Sequence, residues 1–260
     1  MPPEAMAAFK PDQLAAMPPT AFAGFKPDQI GALPAEAFAA FDPTKMKQMP
    51  PTAFAGFEPS QIAALPATAM AGFDPNKVRQ LPPDAMAGFK PEQFAAMPPT
   101  AFAGFKPDQI GALPPEAMAA FKPTQLGQMP PTAFAGFEPS QIAALPATAM
   151  AGFKPTQVGQ MPPEAMAAFK PDQLAAMPPT AFAGFKPDQI GALPAEAFAA
   201  FDPTKMKQMP PTAFAGFEPS QIAALPATAM AGFDPNKVRQ LPPDAMAGFK
   251  PEQFAAMPPT

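Results

Sequence analysis

The residues best equipped for chemistry are Asp74, Asn76 and Lys77 in FDPNKVRQ, with their copies Asp234, Asn236 and Lys237. Asp-Pro-Asn offers oxygen ligands like the start of a calcium loop, but the further acids at EF-hand spacing are missing. The chain has no His, Cys, Tyr or Trp. That removes disulfides and thiolate or imidazole ligands, and it reduces the general bases to Asp, Glu and Lys. These recur at equivalent places along the chain and form no unique constellation of nucleophile and base or of paired carboxylates. No glycine-rich phosphate loop or calcium-binding nonapeptide occurs. No catalytic, cofactor-binding or metal-ligating residue is therefore assigned: the expectation is a chain that is not an enzyme and takes no cofactor or small-molecule substrate. Phe9, Phe25 and Phe41 begin a ladder of regularly spaced rings, a pattern that core packing explains more simply than electron transfer or ligand stacking. Thr20, Thr52 and Thr68 would suit an ice-binding face, but Glu and Asp share their position and break the array.

The charge balance is thin: 17 basic against 21 acidic side chains, for a net charge of −4 in 260 residues. No basic patch is available for nucleic acid or anionic lipid. Proline interrupts every apolar run well before the ~20 residues that a membrane span needs, and no signal peptide is visible at the start.

What must position these residues is a repeat. The sequence divides without gaps into sixteen 16-residue units and a remainder, Met257–Thr260. The first two units are MPPEAMAAFKPDQLAA and MPPTAFAGFKPDQIGA. Ala holds positions 5 and 7 and Phe holds position 9 in every complete unit. Each unit halves into octapeptides, MPPEAMAA over FKPDQLAA. Residues 1–80 recur with substitutions at 81–160, and residues 161–260 reproduce 1–100 without change. Met1 stands at an ordinary repeat position, and neither end carries the polar cap that repeat arrays normally need. The expectation is a single tandem-repeat array over 1–260 that is a window of a longer array or a piece that joins end to end.

Proline is at home in the first turn of a helix, where its missing N–H leaves nothing unpaired, and it pushes the preceding residue out of the α region. A helix is thus expected from Pro3 to about Phe9 and from Pro11 to about Met17, and likewise in every octapeptide. Asp12, Glu4 and Thr20 fall in first turns, where they favour the exposed N–H groups. Gln13 at N3 can reach back to the cap. Asp42 and Asp74 can serve as N-caps, whereas Lys10 and Lys26 at the same position cannot. Two-turn helices do not survive alone in water, so stacking on neighbouring units must hold them. The fold expected is an all-α repeat solenoid of very short, Pro-initiated helices, two per 16-residue unit, with one unit as the simplest length for a coil. A β-solenoid fits the residue types poorly; a polyproline-like bundle tolerates this much proline. Glycine alternates with Ala or other residues between units, so no positive φ is required.

The two half-units differ. PTAFAGF is polar only at position 4, and Ala5, Ala7 and Ala8 make even its back small and apolar. KPDQIGA is polar at positions 10, 12 and 13. Two rows of helices are expected, one per half-unit: the second facing water, the first covered on its Ala side by another solenoid. Ala as a good helix former on an exposed face is the plainer account of the same residues.

The octapeptides FKPDQLAA, FEPSQIAA and FKPTQVGQ resemble the LTPEQVAAL-type tandem repeats of very large bacterial surface and adhesin-like proteins. Here the residue before proline is charged in place of Thr, and alternate octapeptides read Pro-Pro-x-Ala. The resemblance implies an extended structural role, extracellular or at the cell surface. The function expected is a structural protein that self-associates, laterally and end to end, into a filament, fibre or sheath. The alternative is the stalk of a bacterial surface adhesin whose binding domain lies elsewhere.

Overall fold

In the computed structural model, residues 2–258 are described; Met1, Pro259 and Thr260, at the outer limits of the expected array, lie outside the described residues. The chain forms two compact units, Met1–Gly136 and Phe137–Thr260. Each is an all-α repeat solenoid of short helices, and no strand occurs among the described residues.

Each octapeptide makes one helical segment, started by proline. In the second half-unit the segment is α-helical, as in Pro59–Ala64 and Pro75–Gln80. Its residue before proline is extended, with φ −105° and ψ 156° at Glu58. In the first half-unit most segments are 3-10 helices, as in Pro51–Gly56 and Ala67–Gly72, though Pro115–Met118 and Pro163–Met166 are single α turns. Second halves place Gln or Lys at N3, supporting the cap; first halves place Ala there, in the α turns Pro115–Met118 and Pro163–Met166 as well as in the 3-10 helices, so this residue alone does not set the helix type. With three residues per turn, a 3-10 helix sets positions 6 and 9 on one face and positions 4 and 7 on another.

The buried face repeats: Ala53, Phe54, Phe57, Ile62 and Leu65 are all buried, and so are their counterparts through the body of each unit. The Phe rings touch from one repeat to the next, with centroids 5.2 Å apart for Phe38–Phe57 and 5.3 Å for Phe54–Phe73. The aromatic ladder is core packing, contributing about 0.5–1.5 kcal/mol per pair beyond area burial.

The coil differs from the simplest expectation. The α-helix Pro43–Gln48 packs on the 3-10 helices Pro19–Gly24 and Ala67–Gly72, three octapeptides before and after it. Side-chain hydrogen bonds reach further, 28 to 31 residues back. One turn thus takes three to four octapeptides, not one 16-residue unit. Because three is odd, helix types alternate between neighbouring coils, where two separate rows were expected. No glycine among the described residues has positive φ. Gly56 serves close approach instead: a Cβ there would collide with the Pro27 carbonyl of the preceding coil.

Candidate functional site

The polar residue at position 13 was read from the sequence as part of a wet face; the structure buries it. Gln61, Gln93, Gln109 and Gln125 are each at most 2% exposed. Each serves two coils at once. The Oε1 of Gln61 accepts the Glu58 N–H at 3.0 Å, and its Nε2 donates to the carbonyls of Ile30 at 2.9 Å and Leu33 at 2.8 Å. Gln109 does the same with the Lys106 N–H and the carbonyls of Val78 and Leu81. One amide thereby satisfies the start of its own helix and the end of a helix in the coil before. This is half of a capping box: neither Lys106 nor Glu58 returns a side-chain bond to its helix.

Lysine takes over this position at Lys45, Lys77, Lys205 and Lys237, and all four are buried. An ammonium can donate to carbonyls but cannot accept the N–H groups of its own helix. Every unit with Lys at position 13 has Asp at position 10, and no unit with Gln does. Asp74 Oδ1 accepts the N–H groups of Asn76 at 2.9 Å and Lys77 at 3.1 Å, and Oδ2 pairs with Lys77 Nζ at 3.1 Å. That ammonium also donates to the Lys47 carbonyl, 30 residues back, at 3.1 Å, and to the Gly72 carbonyl at 3.3 Å. It lies 6.0 Å from the centre of the Phe54 ring. The Asp-Pro-Asn-Lys stretch that resembled a calcium loop is therefore an N-cap and ion pair, as expected of Asp42 and Asp74 as caps.

Hydrogen bonding from the Lys45 N–H holds the Asp42 carboxyl below its ordinary 3.8 against some desolvation. At Asp202 and Asp234 burial pushes upward, but hydrogen bonds and charge from Lys205 and Lys237 outweigh it and leave both lowered. No buried side-chain nitrogen or oxygen among the described residues lacks a partner. No group of three or more Asp and Glu among them is placed to hold a metal ion, and no described helix is long and apolar enough to cross a membrane.

The surface that remains is periodic. Ala5-type residues, read as part of an apolar back, face the core: Ala53, Ala69 and Ala85 are fully buried. Position 8 lies against the preceding coil, as Gly56 does on Pro27. Beyond the first two units, of these three positions only Ala7-type residues stay outside, exposed except at half-buried Ala103. On the 3-10 helices they share a face with position 4, so Thr52 and Ala55, Thr68 and Ala71, and Asp84 and Ala87 recur as exposed pairs. Thr20, Thr52 and Thr68 are all on this surface. No protein-family model matches the chain, and no curated protein matches it.

Proposed function

We propose that the chain is a structural protein that self-associates into an extracellular filament, fibre or sheath through lateral contact of its 3-10 helices. The observation that carries this reading is the exposed Ala7 position, a small side chain offered outward once per unit beside Thr, Glu or Asp. Because packed segments lie three octapeptides apart, it recurs along any one stack only in every third unit, as at Ala151, Ala199 and Ala247. Small residues permit close backbone approach, and a periodic face can meet an equally periodic face in register. Each row is sparser than the sequence implied, because Ala5 is spent on the core and α-helices alternate with the 3-10 helices. It therefore supports many weak contacts along a chain in preference to one tight patch. The extracellular setting follows from the resemblance to bacterial surface repeats.

The test is to replace Ala151, Ala199 and Ala247, which stand on one stack of packed segments, together with Glu in the full chain. All three are exposed, so folding is expected to be unchanged by circular dichroism, while fibres seen by negative-stain microscopy thin or vanish. A wild-type chain that stays monomeric at every concentration would overturn the proposal and fit the adhesin-stalk reading instead.

A further inference from the structure

Because the side chain at position 13 bonds four octapeptides back, these bonds join alternate α-helices into two separate lines. In the first compact unit one line joins Pro27–Gly31, Pro59–Ala64, Pro91–Ala96 and Pro123–Gln128, entirely through Gln61, Gln93 and Gln125. The other joins Pro11–Ala16, Pro43–Gln48, Pro75–Gln80 and Pro107–Gly111, and its first two ties are ammoniums. Lys45 Nζ donates to the Ala15 carbonyl at 3.1 Å, and Lys77 Nζ to the Lys47 carbonyl at 3.1 Å. Pro43–Gln48 thus reaches back through Lys45 and is held from ahead through Lys77. The second compact unit repeats the arrangement, with Lys205 on the Ala175 carbonyl at 3.2 Å and Lys237 on the Met206 carbonyl at 2.9 Å. Its neighbouring line is again tied by amides, Gln189, Gln221 and Gln253.

The two lines differ in what a proton can do to them. The amide ties contain no titrating group. Each buried ammonium has one counter-charge, Asp42 for Lys45 at 3.6 Å and Asp74 for Lys77 at 3.1 Å, and both carboxylates are about half exposed, within reach of solvent protons. Among the described residues no other carboxylate pairs with either ammonium. Pro43–Gln48 packs on Pro19–Gly24 and Ala67–Gly72, and Pro75–Gln80 on Pro51–Gly56 and Pro99–Gly104. These four 3-10 helices carry no titratable side chain. The other charges on the line, Lys10, Asp12, Lys47, Arg79, Lys106 and Asp108, are exposed. So is Glu36, in the segment whose Ala40 carbonyl also accepts from Lys45. A buried charge that loses its partner is strongly destabilising, whereas a neutral tie is untouched.

We propose that the lysine-tied line is an acid-operated release built into the solenoid. Protonating Asp42 and Asp74 leaves two ammoniums buried without a counter-charge. Pro43–Gln48 and Pro75–Gln80 then swing out of the wall together, while the glutamine-tied helices between and beyond them stay in place. The two move together because freeing Lys77 also frees the last turn of Pro43–Gln48. The carboxyls of Asp42, Asp202 and Asp234 are held below 3.8. The stability they add is complete above that value and is lost as pH falls through the lower folded one, so release belongs to pH below about 4. It bares Met46 and Val78, both 0% exposed in the closed chain. The release acts within one chain and does not rest on lateral association.

Hydrogen exchange of the full chain, read by mass spectrometry at about pH 6.5 and about pH 3 and corrected for intrinsic rates, tests it. Peptides 41–48 and 201–208 have one sequence and are read together, as are 73–80 and 233–240. On acidification their exchange should rise about 10-fold more than that of 57–64 and 89–96. A variant with Asp42→Lys, Lys45→Gln, Asp74→Lys and Lys77→Gln gives the first unit the pairing that the glutamine line already uses. It leaves 201–240 native as an internal reference. Its 41–48 and 73–80 peptides should lose the acid response while 201–208 and 233–240 keep it. Equal acceleration in both lines, acceleration in neither, or a variant unit that still responds would overturn the release. Asp74→Asn with Asp234→Asn, at about pH 6.5, tests the coupling, since Asn keeps a cap and removes the charge. Exchange should rise in 41–48 and 201–208 as well as at the substituted helices; a rise confined to the substituted helices would overturn the joint release.

Discussion

At Glu58–Gln61 and at Asp74–Lys77 the same place in a helix reaches into the preceding coil with different atoms. Gln61 brings an acceptor and a donor in one side chain, so the residue before proline is released from capping and is Lys or Glu. Lys77 brings only donors, so the acceptor moves to Asp74, which caps the helix and balances the buried charge. The lesson is that the unit of substitution is the pair at positions 10 and 13. Hydrogen-bond accounting across two coils sets that pairing, since a buried polar group left unpaired costs about 1–3 kcal/mol.

The largest effect should come from emptying the amide position. Gln109→Leu strands the Leu81 carbonyl and the Lys106 N–H and leaves the Val78 carbonyl only its bond from the Leu81 N–H, and should lower stability by about 3 kcal/mol in urea melts. Gln13→Leu, at the same repeat position but exposed, should stay within about 1 kcal/mol. Equal losses would show that the inter-coil bonds contribute nothing. Next comes Asp74→Lys, which removes a cap and leaves a buried ammonium beside a like charge. A loss of about 2–4 kcal/mol is expected. Adding Lys77→Gln recreates the other pairing and should restore most of it, with a coupling of about 0.5–3 kcal/mol in the double-mutant cycle. Additive losses would break the pairing rule. Lys90→Asp, with Gln93 kept, sharpens the comparison from the other side: Asp adds a cap where Lys has none and should stabilise by up to about 1 kcal/mol.

Acid gives the smallest effect. Asp42, Asp202 and Asp234 have carboxyls lowered from 3.8. A depressed carboxyl adds stability that is complete above the unfolded value and disappears as pH falls through the lower folded one. Amide exchange at Lys45 and Lys205 should therefore accelerate below about pH 4, beyond the intrinsic rate, relative to Gln61 and Gln221, whose contacts hold no titrating group. Parallel profiles would show that the ion pairs add nothing to the caps.

Much of this architecture is legible in the sequence because it is local. Proline at N1, Gln13 reaching its cap, and Asp42 and Asp74 as N-caps all concern residues within one octapeptide. The burial of Gln61 and Lys77 is not legible in the same way, since their partners lie 28 to 31 residues back. An octapeptide taken alone shows a polar residue beside others that do face water. A signal was nonetheless present: position 12 varies among Asp, Glu, Ser, Thr and Asn, while position 13 is only Gln or Lys, tied to position 10. Coil length was hidden for a related reason. Sequence period reports what repeats, whereas the number of segments per turn depends on how they pack.

The three-octapeptide offset between packed segments also governs how the chain comes to order. Each octapeptide acts as one residue of a larger helix, packed against members three away and bonded to the member four behind. Such a polymer has its own nucleation barrier, because about 24 residues must be arranged before the first packing contact returns anything. Growth beyond that point gains a full set of contacts with each octapeptide, so order should spread outward from an interior seed and fray inward from the termini. A peptide of three octapeptides has no such contact to gain and stays a coil. A preformed terminus offers a ready nucleus, on which the next octapeptide can order without paying for a seed.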